Sequence, residues 1–390
     1  MSLFRNRLLW SLSIGHFATD LYPNILPIAF PLLMVSLNLS SYAQVAFVAT
    51  MYTMTSSLSQ PLFGYLADRF GGRILAPVGL VWLSILIGTL GYAPDYVSLI
   101  IIATLAGFGS GAFHPQGAMN ASLMAGERKG TAVSIFMLGG NLGYSLGPVL
   151  GAVIFGFVGL HGTPLLIIPG ILFAIWLYQA MEAVERHRKS VVADNTVQKT
   201  QMRVPILGVA SLIVLIMLRS WSQGGVNNFL ALLYKEKGIS LETSSQVLFV
   251  MLVGIAVGAV IGGVLSDFVG RKKVTFISLV LLSPVVYTFL QTVPPLSFLV
   301  AFPTGILFGA TYSITLIMVQ ELMPKNVGMA SGLVLGLAFV TSGIGVSITG
   351  YMADNYGLLS ALSFLSIMPF IGALLVLNYK PVPQAVAETT

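Results

Sequence analysis

The sequence predicts an all-α membrane protein: twelve transmembrane helices in two pseudo-symmetric six-helix bundles. Three observations carry this. The first is composition. Of 390 residues, 56% are hydrophobic and 8% charged, and the mean hydropathy is +0.90. A soluble domain needs about 25% charged residues to coat its surface, whereas lipid demands no polar coat. The second is the spacing of apolar runs along the chain. The third is a repeat that relates one half of the chain to the other. The 41 glycines and 19 prolines would weaken a soluble helical protein. In a membrane bundle, small residues let helices approach closely and neighbours satisfy the backbone groups that proline frees.

A spanning helix needs about 20 mostly apolar residues. Such runs occupy 8–36, 43–67, 74–93, 97–124, 131–158, 163–182, 206–234, 245–266, 274–290, 296–322, 328–351 and 358–379. The first contains Pro23, Pro27 and Pro31, which are kink points. The ninth is short. The first run follows Arg5 and Arg7 and is trailed by no small-residue cleavage site, so it reads as a retained helix. With the amino terminus in the cytoplasm, 16 of the 19 Lys and Arg fall in cytoplasmic segments. Lys235 and Lys237 lie outside, and Arg219 lies within an apolar run. That asymmetry fixes the orientation and calls for an even number of spans. Residues 183–205 form the one long polar stretch, rich in both charge signs. They divide the chain into an N-terminal bundle (1–182), a cytoplasmic linker and a C-terminal bundle (206–390).

The two halves correspond at a nearly constant offset. Gly64-Tyr65-Leu66-Ala67-Asp68 aligns with Gly263-Val264-Leu265-Ser266-Asp267 at 199. Gly107, Gly111 and Gly130 align with Gly305, Gly309 and Gly328 at 198. Parallel repeats of this kind place a shared cavity between them near the bilayer midplane.

After helix two, Asp68, Arg69, Gly71, Gly72 and Arg73 form a charged turn, repeated as Asp267, Gly270, Arg271, Lys272. One copy reads equally as a basic topogenic loop. The second favours a gate in which acid–base pairs lock and release one side. On helix five, Gly143, Gly147 with Pro148, and Gly151 with Ala152 put three glycines on one face at i, i+4 and i+8. Close packing explains such a face as well as gating does.

The charged turn resembles the signature loop of the major facilitator superfamily, with Gly72 and Phe268 departing from the usual basic residues. The glycine face resembles that superfamily's antiporter signature. Gly15-His16-Phe17 through Asp20-Leu21-Tyr22, Gly109 through Gly117 around His114, and Leu218-Arg219-Ser220-Trp221 are similar to its fosmidomycin-resistance branch. Gln116 stands where that branch is expected to carry Glu. The resemblance implies the twelve-helix fold, a monomer, and proton-driven export of a small drug-like solute across the bacterial cytoplasmic membrane.

Ionisable groups inside spans are costly and therefore functional candidates. His16 and Asp20 share a helix face. His114 lies mid-span beside Pro115. Arg219 follows Asp20 by the repeat offset, so it occupies the matching place in the other half. The expectation is a pair between Asp20 and Arg219 that opens when Asp20 is protonated, freeing Arg219 for an anionic substrate, with His16 and His114 tuning or relaying the proton. Tyr22, Asn24, Gln116, Asn141, Trp221, Gln223 and Asn227 are candidate cavity-lining groups, though each could equally hold helices together.

Other classes fit poorly. The four histidines are scattered, there is no cysteine and no H-E-x-x-H, and no phosphate-binding glycine loop occurs. An enzyme, a metal or other cofactor, and direct use of ATP are therefore not expected. The basic residues form no stripe for nucleic acid. Partners are the bilayer, protons and a small solute. An endogenous organic acid or sugar, taken up or exported, is the alternative cargo.

Overall fold

The computed structural model describes residues 6–70, 73–123, 129–192, 205–323 and 327–379. No strand occurs among them. The helices are α1 (Arg7–Asp20), α2 (Ile25–Ser36), α3 (Tyr42–Phe70), α4 (Leu75–Thr89), α5 (Tyr96–Leu123), α6 (Lys129–Val158), α7 (Ile167–Val192), α8 (Ile206–Glu236), α9 (Leu241–Val269), α10 (Arg271–Gln291), α11 (Leu296–Leu322), α12 (Val327–Tyr356), α13 (Leu358–Leu365) and α14 (Met368–Val376). α1 with α2 makes the first span and α13 with α14 the last, giving twelve.

Polar caps and glycines set the boundaries. The Asn6 side chain accepts from the backbone N–H groups of Leu8 and Leu9 at the start of α1. Asp95 accepts from Ser98 N–H (2.8 Å) at the start of α5. That contact holds its exposed carboxyl below the usual carboxylate range. Gly270 alone joins α9 to α10 with φ 95°, a backbone conformation that suits glycine. This is the glycine of the second charged turn.

One feature agrees with the kink points read from the sequence, and two depart from that reading. The first span breaks over 21–24, beside Pro23, whose ring disfavours helical geometry at the residue before it. Pro27 then falls in the first turn of α2, where its missing N–H costs nothing. The short ninth run is a full 21-residue helix. The linker begins later than expected, because α7 stays helical to Val192. Residues 193–204 lie outside the described segments.

Eleven of the spans are long and apolar enough to cross a membrane on composition alone. The twelfth, α3, is 29 residues long but more polar. It packs against α5 in its own half and α12 in the other, so much of its surface faces protein and needs less apolar character.

Each half repeats one packing scheme. α1 lies on α6, α3 on α5, and α4 on α5 and α7. Correspondingly α8 lies on α12, α9 on α11, and α10 on α11 and α14. The halves meet along α3–α12, α6–α9 and α2–α8.

Candidate functional site

α1 presents Asp20 one turn after His16, and α5 brings His114 to the same carboxylate. His16 Nε2 lies 3.1 Å from Asp20 Oδ2, and His114 Nε2 lies 3.0 Å from Oδ1. The far nitrogen of each ring is tied to backbone: His16 Nδ1 to the Phe136 carbonyl (2.9 Å) and His114 Nδ1 to the Ser110 carbonyl (2.8 Å). His16 also stacks on Phe136, with ring centroids 4.1 Å apart. The approach depends on Gly140, because a Cβ there would lie 2.4 Å from the His16 ring. His16 is buried, while the side chains of His114 and Asp20 remain 25% and 17% exposed. The three ligand atoms lie within 4.8 Å of one another, so this donor set also has the chemistry for a divalent transition metal.

Arg219 on α8 is 1% exposed. Its guanidinium lies 3.9 Å from the centre of the Tyr312 ring on α11. Nη1 makes a long bond to Thr311 Oγ1 (3.4 Å), Nη2 a longer one to Ser220 Oγ (3.5 Å), and Nε has no partner. Among the described residues no carboxylate pairs with it. This corrects the expected Asp20–Arg219 pair. Each group is instead served within its own half by the fourth helix of that half: Asp20 by His114, Arg219 by Tyr312. Tyr312 follows His114 by 198 residues, the offset of the repeat itself. The molecule therefore pairs an anion–imidazole contact in one half with a cation–π contact at the equivalent place in the other.

The neutral candidates divide. Asn227 on α8 donates to Asn24 Oδ1 (2.9 Å) and the Tyr144 hydroxyl (3.2 Å), and Asn24 donates to the Tyr144 carbonyl (2.8 Å). These three link the halves. Gln223 on α8 and Gln116 on α5 each bury a carbonyl oxygen with no partner, while the Gln116 amide bonds Ala112 in its own helix. Asn141 is half-buried. Trp221 donates to Thr349 Oγ1 (2.9 Å) inside its own half. Tyr22 departs from the expectation that it lines the cavity. It is fully buried, and its hydroxyl donates to the Leu166 carbonyl (2.9 Å), which fastens the break in the first span to the segment before α7.

Charges expected to gate pair within single halves. Arg73 bonds Glu182 (2.9 Å) and covers Tyr178. Arg271 pairs with Glu321 and lies 4.0 Å from Asp267. Tyr379 donates to Glu321 (2.6 Å). The side chains of Asp68 and Arg69 lie outside the described residues.

The glycine face packs α6 against the first span. A Cβ at Gly143 would lie 2.1 Å from the Phe17 carbonyl oxygen, at Gly147 2.3 Å from that of Leu21, and at Gly151 3.3 Å from Ile25. Gly139 extends the series one turn, with a Cβ position 1.9 Å from the Ser13 carbonyl oxygen. Its spacing of four was readable in the sequence. Pro148 is buried within the same helix.

A group the sequence reading missed is Asp354, at the end of α12. It accepts from the backbone N–H groups of Tyr42 (2.6 Å) and Ala43 (3.0 Å) and from the Ser41 hydroxyl, capping α3 of the other half. Nearby, Tyr42 donates to Glu236, and Lys235 donates to the Pro31 carbonyl (3.0 Å). All these contacts join the halves at the end opposite the charged turns.

The family model described as Major Facilitator Superfamily matches residues 12–216 and 212–390. The fosmidomycin resistance protein of Escherichia coli (strain K12) is 28% identical over 95% of this chain and 92% of its own length. A hexuronate transporter of Bacillus subtilis (strain 168) is 24% identical over 86% of this chain and 85% of its own. A bacterial homologue of the human lysosomal transporter Spinster, solved in an inward-facing, occupied conformation, superposes with a TM-score of 0.79 at 15% identity, covering 97% of each chain. That likeness speaks to the fold. The chain is a multi-pass membrane transporter of the Major Facilitator Superfamily.

Proposed function

We propose that this transporter is a proton-coupled antiporter that exports a small anionic or amphipathic solute across the bacterial cytoplasmic membrane by alternating access, with both termini cytoplasmic. The carrying observation is Arg219, a buried cation with no carboxylate partner among the described residues. A buried charge without a counter-charge is costly, and an anionic substrate supplies one. The His16–Asp20–His114 cluster in the other half is the proton site. Asn24, Asn227, Gln116 and Gln223 contribute amides between the two. Coupling then acts across the space between the halves and needs no direct Asp20–Arg219 contact.

The cross-half contacts at Asp354, Tyr42, Glu236 and Lys235 are the extracellular gate, and the structure corresponds to a cytoplasm-facing state. The concentration of Lys and Arg at the opposite end supports that orientation. The glycine face of α6 and the charged turns are rigid supports that let each half rock as a unit.

A second reading has its own support. Two histidines and Arg219 together offer positive charge, which suits a proton and an anion moving in the same direction. Uptake or release of an endogenous organic or sugar acid would use that arrangement, and the relative named as a hexuronate transporter fits it. Proteoliposomes in weak buffer, loaded with fosmidomycin or with glucuronate, separate the two. Antiport makes the medium alkaline as solute leaves, and cotransport makes it acid. Release of both probes with no pH change would remove proton coupling altogether.

A further inference from the structure

The hydrogen-bond directions around Asp20 fix where protons must be. Both Nδ1 atoms face backbone carbonyl oxygens, at 2.9 Å from Phe136 and 2.8 Å from Ser110. A carbonyl oxygen only accepts, so each Nδ1 carries the hydrogen. Each Nε2 then faces a carboxylate oxygen, at 3.1 and 3.0 Å. A neutral Nδ1–H imidazole has a lone pair on Nε2, and an ionised carboxylate has only lone pairs. At that separation the contact is repulsive unless a proton or another cation lies in it, and a proton is the smaller demand on two contacts of ordinary hydrogen-bond length.

We propose that the His16–Asp20–His114 cluster is a two-proton store, holding one bridging proton at each Nε2–carboxylate contact and carrying a net charge of +1 in this state. The charge does not depend on where the protons rest. Two imidazolium rings with a carboxylate, or one imidazolium and one neutral ring with a carboxylic acid, both sum to +1. Losing both protons leaves two neutral rings and a carboxylate at −1, with both contacts repelling. Asp20 is then the shared counter-ion, and at least one histidine holds a transported charge. This refines the proton site of the proposed function, yet the charge state stands independently of whether flux is proton-driven.

The surroundings leave the cluster to its own three groups. α3 and α6 add the phenols of Tyr52 and Tyr144, which lie within electrostatic reach of Asp20. α7 faces α1 with apolar Leu177 and Phe173. Among the described residues no Lys, Arg or second carboxylate forms an ion pair with it. Arg219 is held by Tyr312 in the opposite half.

Nitrogen-15 magnetic resonance of histidine-labelled protein in lipid reads the protons directly. A chain carrying His161→Gln and His187→Gln retains only the two cluster histidines. In the unsubstituted chain the same signals are identified by their loss in His16→Gln and in His114→Gln. At pH 7.5 one or both rings should be cationic, with both nitrogens protonated, and Asp20→Asn should return both rings to the neutral Nδ1–H form. Two neutral rings in the native cluster, with or without a bound divalent cation, would overturn the proposal. So would cationic rings that persist in Asp20→Asn. Cationic rings together with flux that ignores a pH gradient would sink proton coupling while leaving the charge state intact.

Discussion

Asp20 and Arg219 occupy matched places in the two halves, and each is completed by the residue matched to the other's partner. At this scale the sequence was legible in position and illegible in pairing. The repeat offset located Arg219 opposite Asp20, and the same arithmetic links His114 to Tyr312. Opposite charges invite pairing in a linear reading. In the fold, α5 and α11 lie nearer, and a ring face satisfies the guanidinium without a carboxylate. Tyr22 was misread because its proximity to Asp20 says nothing of the turn at 21–24, which swings its hydroxyl to Leu166. Two outcomes follow. Arg219→Ala should weaken transport of an anionic probe by about tenfold or more, since a hydrogen bond to a charged group contributes roughly 1.5–3 kcal/mol. Tyr312→Leu should weaken it less, because the ring holds the guanidinium in place while the charge itself stays. Apparent affinities in proteoliposomes check both. An unchanged Arg219→Ala would place the substrate elsewhere.

Among the elements, α6 shows how a signature can be correctly located and differently used. Gly139, Gly143 and Gly147 each bring a backbone carbonyl of α1, or of the turn that follows it, to where a side chain would otherwise sit. This is close helix packing inside one half, and it positions both His16 and its carbonyl partner at Phe136. Gly143→Ala cannot be relieved by rotating a side chain, since the obstruction is the Phe17 backbone. Overpacking of this kind costs about 1–3 kcal/mol. The variant should melt at lower temperature in detergent and lose transport with it, whereas Gly156→Ala, where an added Cβ meets nothing, should do neither. The break in the first span was signalled by Pro23. The polarity of α3 was a signal too, since a spanning helix that is less apolar than its neighbours is one that faces protein on several sides.

Over the whole molecule, twelve spans and their division into two halves were legible because they rest on composition, periodicity and internal repetition, and the family through the resemblance of the charged turn and the glycine face. Where the halves join by polar contacts was not, because Asp354 meets backbone N–H groups at the start of α3, and a lone Asp354 gives no hint of them. Capping groups of this type contribute about 1 kcal/mol, and roughly 1.4 kcal/mol shifts a two-state population tenfold. Asp354→Ala should therefore move the equilibrium measurably toward the state open at that end. The chain has no cysteine, so spin labels at Ser40→Cys and Tyr356→Cys report on it without background. A longer inter-label distance population in Asp354→Ala is expected, and an unchanged distribution would mean that the other cross-half contacts hold that end together alone.

The account turns on protons at His16, Asp20 and His114 being coupled to an anion at Arg219. The most direct measurement is the pH of a weakly buffered medium while anion-loaded proteoliposomes empty, comparing the native chain with Asp20→Asn. The account predicts a pH change in step with solute release in the native protein, alkaline for antiport, and release without pH change in Asp20→Asn. Solute release that carries the same pH change in both proteins would contradict it.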